Sequence, residues 1–304
     1  MLRVENLMKR FGDREVLRNV DFHVRAGEVY GLLGGNGAGK STTVNIIVGV
    51  LESDAGDVFI GELHSARARR AKVGIATQET SLYPTLTCAE HLRFFGRLYG
   101  LRRAELGRSV ERTVELTDLG EYRDARAETL SGGWRRRLNL AVALVHSPPV
   151  LLLDEPTAGL DVEARQAVWR LIDELRGRGT AVLLTTHLLD EAEALCDRVA
   201  IMVEGRIAAS GTLPQLRELV PAREVAVVEG ADDDRIRQRA RAVGLEVRDY
   251  AGRPNLLLPE ATTVGRLVER LGEVGVRSIS LQPVSLLHVY LEVTGEARLS
   301  GGAH

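Results

Sequence analysis

Eight residues near the start of the chain, Gly34-Gly35-Asn36-Gly37-Ala38-Gly39-Lys40-Ser41, follow the pattern G-x-x-x-x-G-K-[ST]. Glycines let the main chain wrap tightly enough to aim successive N–H groups at phosphate oxygens. A helix starting at the end of such a loop adds free amides and a favourable dipole. Lys40 is then placed to meet the β- and γ-phosphates, and the Ser41 hydroxyl to ligate Mg2+. Lysine occurs only at Lys9, Lys40 and Lys72 in this arginine-rich chain, which makes a lysine inside the glycine loop informative. A second pair of groups, Asp154-Glu155, follows the apolar run Val150-Leu151-Leu152-Leu153. A strand buried on both faces delivers its terminal acids at its C-terminal end, where ligands bind in open α/β folds. Asp154 suits holding Mg2+, directly or through water, and Glu155 suits a general base that polarises an attacking water. Loop and acids together imply binding and hydrolysis of Mg-ATP.

The elements that must position these groups alternate. Residues 1–30 read as short strands with a turn at Gly12-Asp13, and Val29–Leu33 as a compact apolar strand before the glycine loop. A helix is expected over Thr42–Leu51, a strand over Val73–Thr77, and mostly helix over residues 88–145. Val150–Leu153 and Ala181–Thr185 read as buried strands flanking an amphipathic helix over Val162–Arg176, and Val199–Val203 with Arg206–Ala209 as a hairpin around Glu204-Gly205. Alternating strands and helices argue for an α/β domain with a parallel sheet. The texture changes near Leu219-Val220-Pro221. Beyond it, strands at Glu224–Val228, Glu246–Asp249, Asn255–Leu258 and Ser278–Leu281 alternate with helices at Asp232–Val243 and Thr263–Glu273, the β-α-β-β-α-β order of a small ferredoxin-like α+β domain. The expected division is therefore 1–219 and 220–304, with a helical subdomain at about 88–145.

Composition narrows the classes. The chain of 304 residues is 44% hydrophobic and 27% charged with a net charge of −2, so no basic field points to nucleic acid. Cys88 and Cys196 form neither a disulfide framework nor a metal spacing and are expected to be reduced thiols. No apolar run approaches the roughly 18 residues of a membrane helix, and the first residues carry charge where a signal peptide has an apolar stretch. A membrane role therefore requires a partner that supplies the membrane.

Leu130-Ser131-Gly132-Gly133 resembles the signature sequence of ATP-binding cassette (ABC) proteins. Other motifs similar to that family's stand in the same order: Gln78 as the Q-loop, Ala158-Gly159-Leu160-Asp161 as the D-loop, and His187 in Thr185-Thr186-His187 as the switch histidine. Phe11 lies where the family places the aromatic that stacks on adenine, and the resemblance covers about residues 1–215. It implies the ABC-type P-loop NTPase fold with its helical subdomain. It assigns nucleotide contacts to Phe11, to Gly34, Gly35, Asn36, Gly37, Ala38, Gly39, Lys40, Ser41 and Thr42, and to Ser131, Gly132, Gly133 and Asp161. It gives catalytic roles to Glu155, His187, Gln78 and Lys40, and Mg2+ ligation to Ser41, Gln78 and Asp154. The signature acts as a phosphate clamp on the P-loop of another cassette, so one P-loop and one signature imply a second ATP-binding subunit, a homodimer being the simplest. Asp161 would then link the two sites.

Without a membrane-spanning segment of its own, such a cassette is expected at the cytoplasmic face of the cell membrane, held peripherally by a separate permease subunit. Arg135-Arg136-Arg137-Leu138-Asn139-Leu140 and Thr186–Glu193 look like the drug-resistance and exporting branch. Ser285-Leu286-Leu287-His288-Val289-Tyr290-Leu291 is similar to that branch's tail, with Leu287 and His288 where acids are expected. The other readings are an import ATPase and a soluble cassette ATPase acting on ribosomes or DNA. Two further departures are Gly35, where the family commonly has proline, so that a floppier loop is expected, and Trp134, expected to be a packing residue.

Overall fold

The computed structural model describes residues 1–77, 82–230, 232–250, 253–272, 275–295 and the backbone of 298–299. The chain divides into two compact units, Met1–Ile207 and Ala208–His304.

The continuous apolar runs form the middle of a six-stranded sheet. Its order is β5 (Val73–Ala76), β6 (Val150–Asp154), β7 (Ala181–Thr186), β3 (Val29–Leu33), β8 (Arg198–Val203) and β9 (Arg206–Gly211). β5 to β8 are joined by parallel pairings, and β3 is buried at every residue, which is why it lacks the alternation of a half-exposed strand. β8 and β9 flank a two-residue turn in which Glu204 (φ 47°) and Gly205 (φ 79°) are both left-handed, as a hairpin twist requires.

The amino-terminal strands are longer than the sequence reading expected. β1 (Leu2–Phe11) and β2 (Arg14–Val24) have ten and eleven residues, and they join β4 (Ala55–Ile60), a strand the reading omitted, in a separate antiparallel sheet of order β2-β1-β4. Bulges in the β1–β2 register break the period-2 pattern and hide their length. α1 (Lys40–Ile47) starts two residues before its expected position, and its apolar residues Val44, Ile46 and Ile47 share one core with Leu2, Leu7, Leu17, Leu32, Leu152 and Leu183. That core locks the glycine loop between the two sheets.

Three helices, α3 (Cys88–Leu98), α4 (Arg103–Leu116) and α5 (Gly132–Leu144), make the helical part of this unit around Leu92, Val110, Leu119 and Leu138. The short α2 (Ala66–Arg70) precedes β5, α6 (Val162–Gly177) joins β6 to β7, and α7 (Leu189–Leu195) joins β7 to β8. Both cysteines are free and buried, and burial pushes the Cys88 thiol up to about 11.

In the second unit, β10 (Glu224–Gly230), β11 (Glu246–Tyr250), β12 (Arg253–Leu258) and β13 (Val276–Pro283) form an antiparallel sheet of order β13-β10-β12-β11, with β14 (Arg298–Leu299) on the β11 edge. α9 (Asp233–Ala242) and α10 (Val264–Leu271) bury Ile236, Ala240, Leu267 and Leu271 in its core. The second unit also contains α8 (Leu213–Arg217), which packs against α11 (Leu286–Thr294). α8 lies before the expected joint at Pro221. Among the described residues no helix is long and apolar enough to cross a membrane.

Candidate nucleotide site

The loop from Gly34 to Gly39 turns between β3 and α1 in a shape that favours glycine, with Gly37 left-handed at φ 80°. At Gly39 φ is 109°, and a Cβ would lie 2.6 Å from Leu17 Cδ2 and 2.9 Å from Met202 Cε. At Gly34 a Cβ would lie 2.6 Å from the Met202 carbonyl oxygen.

A cavity of about 290 Å3 opens over this loop. It is lined by Gly35 to Thr42 and by Phe11, Arg14, Val16, Asp154 and Glu155. Phe11 ends β1 half out of the fold, 51% exposed, with its ring free to meet a flat ligand and Lys9 Nζ 5.7 Å from the ring centre. Lys40 is buried, and its ammonium donates to the carbonyls of Gly34 (2.7 Å) and Gly35 (3.2 Å). Burial holds its pKa below the usual lysine value, and the charges of Glu155 and Asp154 oppose that shift. A lysine desolvated in this way gains when phosphate oxygens arrive.

The acids are placed by the sheet. Asp154 is the last residue of β6, in register with Thr185 of β7, whose hydroxyl donates to Asp154 Oδ1. The Glu155 amide donates to the Thr185 carbonyl at 2.9 Å, and Glu155 takes a left-handed backbone with φ 49°. Its side chain, 13% exposed, accepts a 2.9 Å hydrogen bond from His187 Nδ1, whose ring is 52% exposed just after β7. A carboxylate held by a histidine at a cavity edge can orient water and take up its proton. Ser41 and Asp154 offer a hydroxyl and a carboxylate to the same cavity, hard oxygen donors that fit Mg2+.

The signature residues stand apart from this cavity's described lining. Ser131 caps α5, accepting from the Trp134 amide at 3.5 Å, and Gly132 has nothing within 4 Å of where a Cβ would be. Serine hydroxyl, bare glycine and helix start thus face solvent, ready for an anion from outside. Trp134 packs, its ring 4.2 Å from that of Tyr122 and 4.5 Å from the Arg137 guanidinium. Asp161 caps α6 through the Ala164 amide at 2.8 Å. Gln78 lies outside the described residues.

Sequence reading missed Arg14 and Val16 as cavity walls, Thr185 as the group orienting Asp154, and the buried pair Arg136 and Glu191. Arg136 had a signal: the 3.6-residue period that buries Leu140, Ala143 and Leu144 buries it too.

A glycine loop between a parallel strand and a helix, sharing a cavity with two acids at the end of a strand one further along the same sheet, defines a P-loop nucleoside triphosphatase. A family model described as "ABC transporter" matches residues 17–158. The Nod factor export ATP-binding protein I of Burkholderia lata is 40% identical over 294 residues, covering 95% of each chain. The linearmycin resistance ATP-binding protein LnrL of Bacillus subtilis is 40% identical over 220 residues, covering 71% of this chain and 70% of that one. Among solved structures, an ATP-binding subunit of an ABC transporter has a TM-score of 0.66 at 33% identity, covering 72% of this chain and 92% of that one. A dimeric post-hydrolysis cassette bound to ADP and Pi has a TM-score of 0.63 at 26% identity, covering 70% and 98%. The chain belongs to the ATP-binding subunits of ABC transporters, and its first unit is an ABC ATPase domain.

Proposed function

We propose that this chain powers an exporter by hydrolysing ATP at composite sites in a homodimer docked on a separate permease at the cytoplasmic face of the membrane. The observation that carries the reading is the single cavity uniting Lys40, Ser41, Asp154 and Glu155, with His187 bonded to the last of them. The exporter branch is supported by relatives named for Nod factor export and linearmycin resistance. The dimer is supported by the solvent-facing signature and by the dimeric solved cassette.

In this reading Phe11 stacks on adenine, the loop amides and Lys40 bind the phosphates, and Glu155 takes the proton of the attacking water. His187 holds Glu155 and touches the terminal phosphate. Ser41, Asp154 and Gln78 would hold Mg2+, which neutralises phosphate charge when bound. Ser131, Gly132 and Gly133 of the second subunit close the site, and Asp161 links the two sites. The second unit is read as ferredoxin-like, a reading supported by the order β13-β10-β12-β11 with α9 and α10 as the connections. It supports dimer contact or restrains opening, and the likeness to the Nod factor protein extends through it.

Mixing two inactive proteins, Lys40→Ala and Ser131→Arg, tests the composite site. Mixed dimers hold one intact half-pair and recover hydrolysis. If wild type is active and the mixture never exceeds its parents, the sandwich is wrong. Everted vesicles carrying the permease test direction: ATP-dependent uptake supports export, and its absence alongside ATP-driven import in cells overturns it.

A further inference from the structure

Arg136 sits one turn beyond the signature on α5 and is only 5% exposed. Its Nε donates to the Pro156 carbonyl at 2.7 Å, and its Nη2 donates to those of Asp154 (2.9 Å) and Glu155 (2.7 Å). Its Nη1 donates to the carbonyl of Thr77, which also accepts from Asn139 Nδ2 at 3.1 Å. One side chain of the signature helix thus gathers three consecutive carbonyls of the loop that carries Glu155, together with the residue before Gln78.

Three carbonyl dipoles turned to one point repel each other, and Glu155 reaches this arrangement only through a left-handed backbone that a glutamate disfavours. The buried guanidinium compensates both: its planar fork spreads its donors over three nitrogens and reaches all of these carbonyls, a wider span than the single nitrogen of an ammonium has. The same loop is tied a second time, to α7, where buried Glu191 accepts from the Thr157 hydroxyl at 2.6 Å. The loop is therefore tied to both the signature helix and α7. With its main chain held, the Glu155 carboxylate starts from a fixed point at the cavity, where it meets His187 Nδ1 at 2.9 Å.

We propose that Arg136 is a positioning residue for Glu155, acting through the loop carbonyls, and that it makes the setting of the base depend on where the signature helix lies. This rests on Glu155 being the general base. In the composite site the signature helix of one subunit meets ATP held by the other. A shift of α5 on that contact is passed by Arg136 to the base of its own subunit and to the stem of the Q-loop.

The test uses the full chain with Arg136→Gln and Arg136→Lys, each alone and with Glu155→Gln. Binding of a fluorescent ATP analogue and KM should stay within about twofold, while kcat falls on the order of 10²-fold, the scale of a misplaced catalytic group. Lysine should not rescue, because it cannot span the carbonyls. Added to Glu155→Gln, Arg136→Gln should lower the residual rate less than about twofold, since the group it positions is already disabled. A merely structural role predicts the opposite: parallel loss of affinity and thermal stability, and full additivity in the double variant. Wild-type kcat in Arg136→Gln, with Glu155→Gln inactive, overturns the proposal. Wild-type kcat in Glu155→Gln overturns the general-base reading instead. If Arg136→Gln does not fold, Arg136→Lys decides: activity equal to wild type overturns the proposal, and reduced kcat at unchanged affinity supports it.

Discussion

Arg136 in the first unit and Arg248 in the second are both almost fully buried, at 5% and 8% exposure, yet they answer burial differently. Burial holds the Arg136 guanidinium below its usual pKa despite the nearby charges of Asp154, Glu191 and Glu155. Burial acts on Arg248 too, but hydrogen bonds to Glu292 and Glu246 outweigh it and raise the value. Arg248 donates to Glu292 at 2.8 Å, and Tyr250 adds a bond to the same carboxylate at 3.2 Å. In the second unit, then, charges are settled among side chains that pin α11 to β11. In the first unit, buried polar groups converge on main-chain carbonyls and on strand-end acids that open to a cavity. Arg248 is paired with acids of its own unit, whereas Arg136 directs its donors to the main chain of the loop whose acids line the cavity.

The contrast makes its largest claim at Glu155. Glu155→Gln should keep ATP binding while turnover falls about 10²-fold or more, and ATP should then trap a dimer visible by sizing chromatography. Near-wild-type hydrolysis removes Glu155 from the chemistry. Next is Lys40→Ala, which deletes a desolvated charge from the phosphate cradle and should weaken ATP affinity by on the order of 10- to 100-fold in equilibrium binding. Unchanged affinity means the cradle is misread.

In the second unit the same kind of change should act only on stability. Glu292→Ala takes one carboxylate from buried Arg248 and should cost about 1–3 kcal/mol in denaturant unfolding, with ATP kcat and KM unchanged. A kinetic effect at unchanged stability would break the comparison. A smaller effect separates two histidines of the first unit. His187 borders the acids, whereas His146 stacks on Tyr99 at 3.6 Å, and burial lowers its pKa from 6.5 to about 4. The unfolded chain therefore binds the proton first, so the stabilising contribution is present above pH 6.5 and lost as pH falls toward about 4. His146→Gln should flatten thermal stability over that window, and an unchanged pH profile argues against it. The smallest effect is expected from removing the second unit after Gly211. α8 packs on α11, so this cut is cleaner than one at Leu219. ATP affinity should hold while the dependence of hydrolysis on protein concentration changes, and identical behaviour in both would leave the second unit no part in dimer closure.

Much of the site was legible because its groups are local in sequence. Gly34–Ser41 is one turn of chain whose shape follows from its own glycines, and β6 announces its acids by a continuous apolar run. β4 and the true lengths of β1 and β2 were not legible, because bulges scramble the period and the strands make a second sheet only by pairing across about 50 residues of sequence. The tail similarly hid its logic. His288 stands where the family tail has an acid, and its Nδ1 accepts from the Ser285 amide at 2.9 Å, keeping the helix cap with a different acceptor.

Sequence alone determined which residues the proposed chemistry would use: the glycine loop with Lys40 and Ser41, the acids Asp154 and Glu155, the signature stretch and their order, all written in residue types at short spacing. Tertiary structure decided how those pieces hold one another. His187 meets Glu155 across 32 residues, Thr185 meets Asp154 across 31, and Arg136 gathers the carbonyls of Asp154, Glu155, Pro156 and Thr77 from a different helix. No local pattern encodes such contacts, because hydrogen bonds to main-chain carbonyls depend on where the chain passes and not on which residue carries the carbonyl.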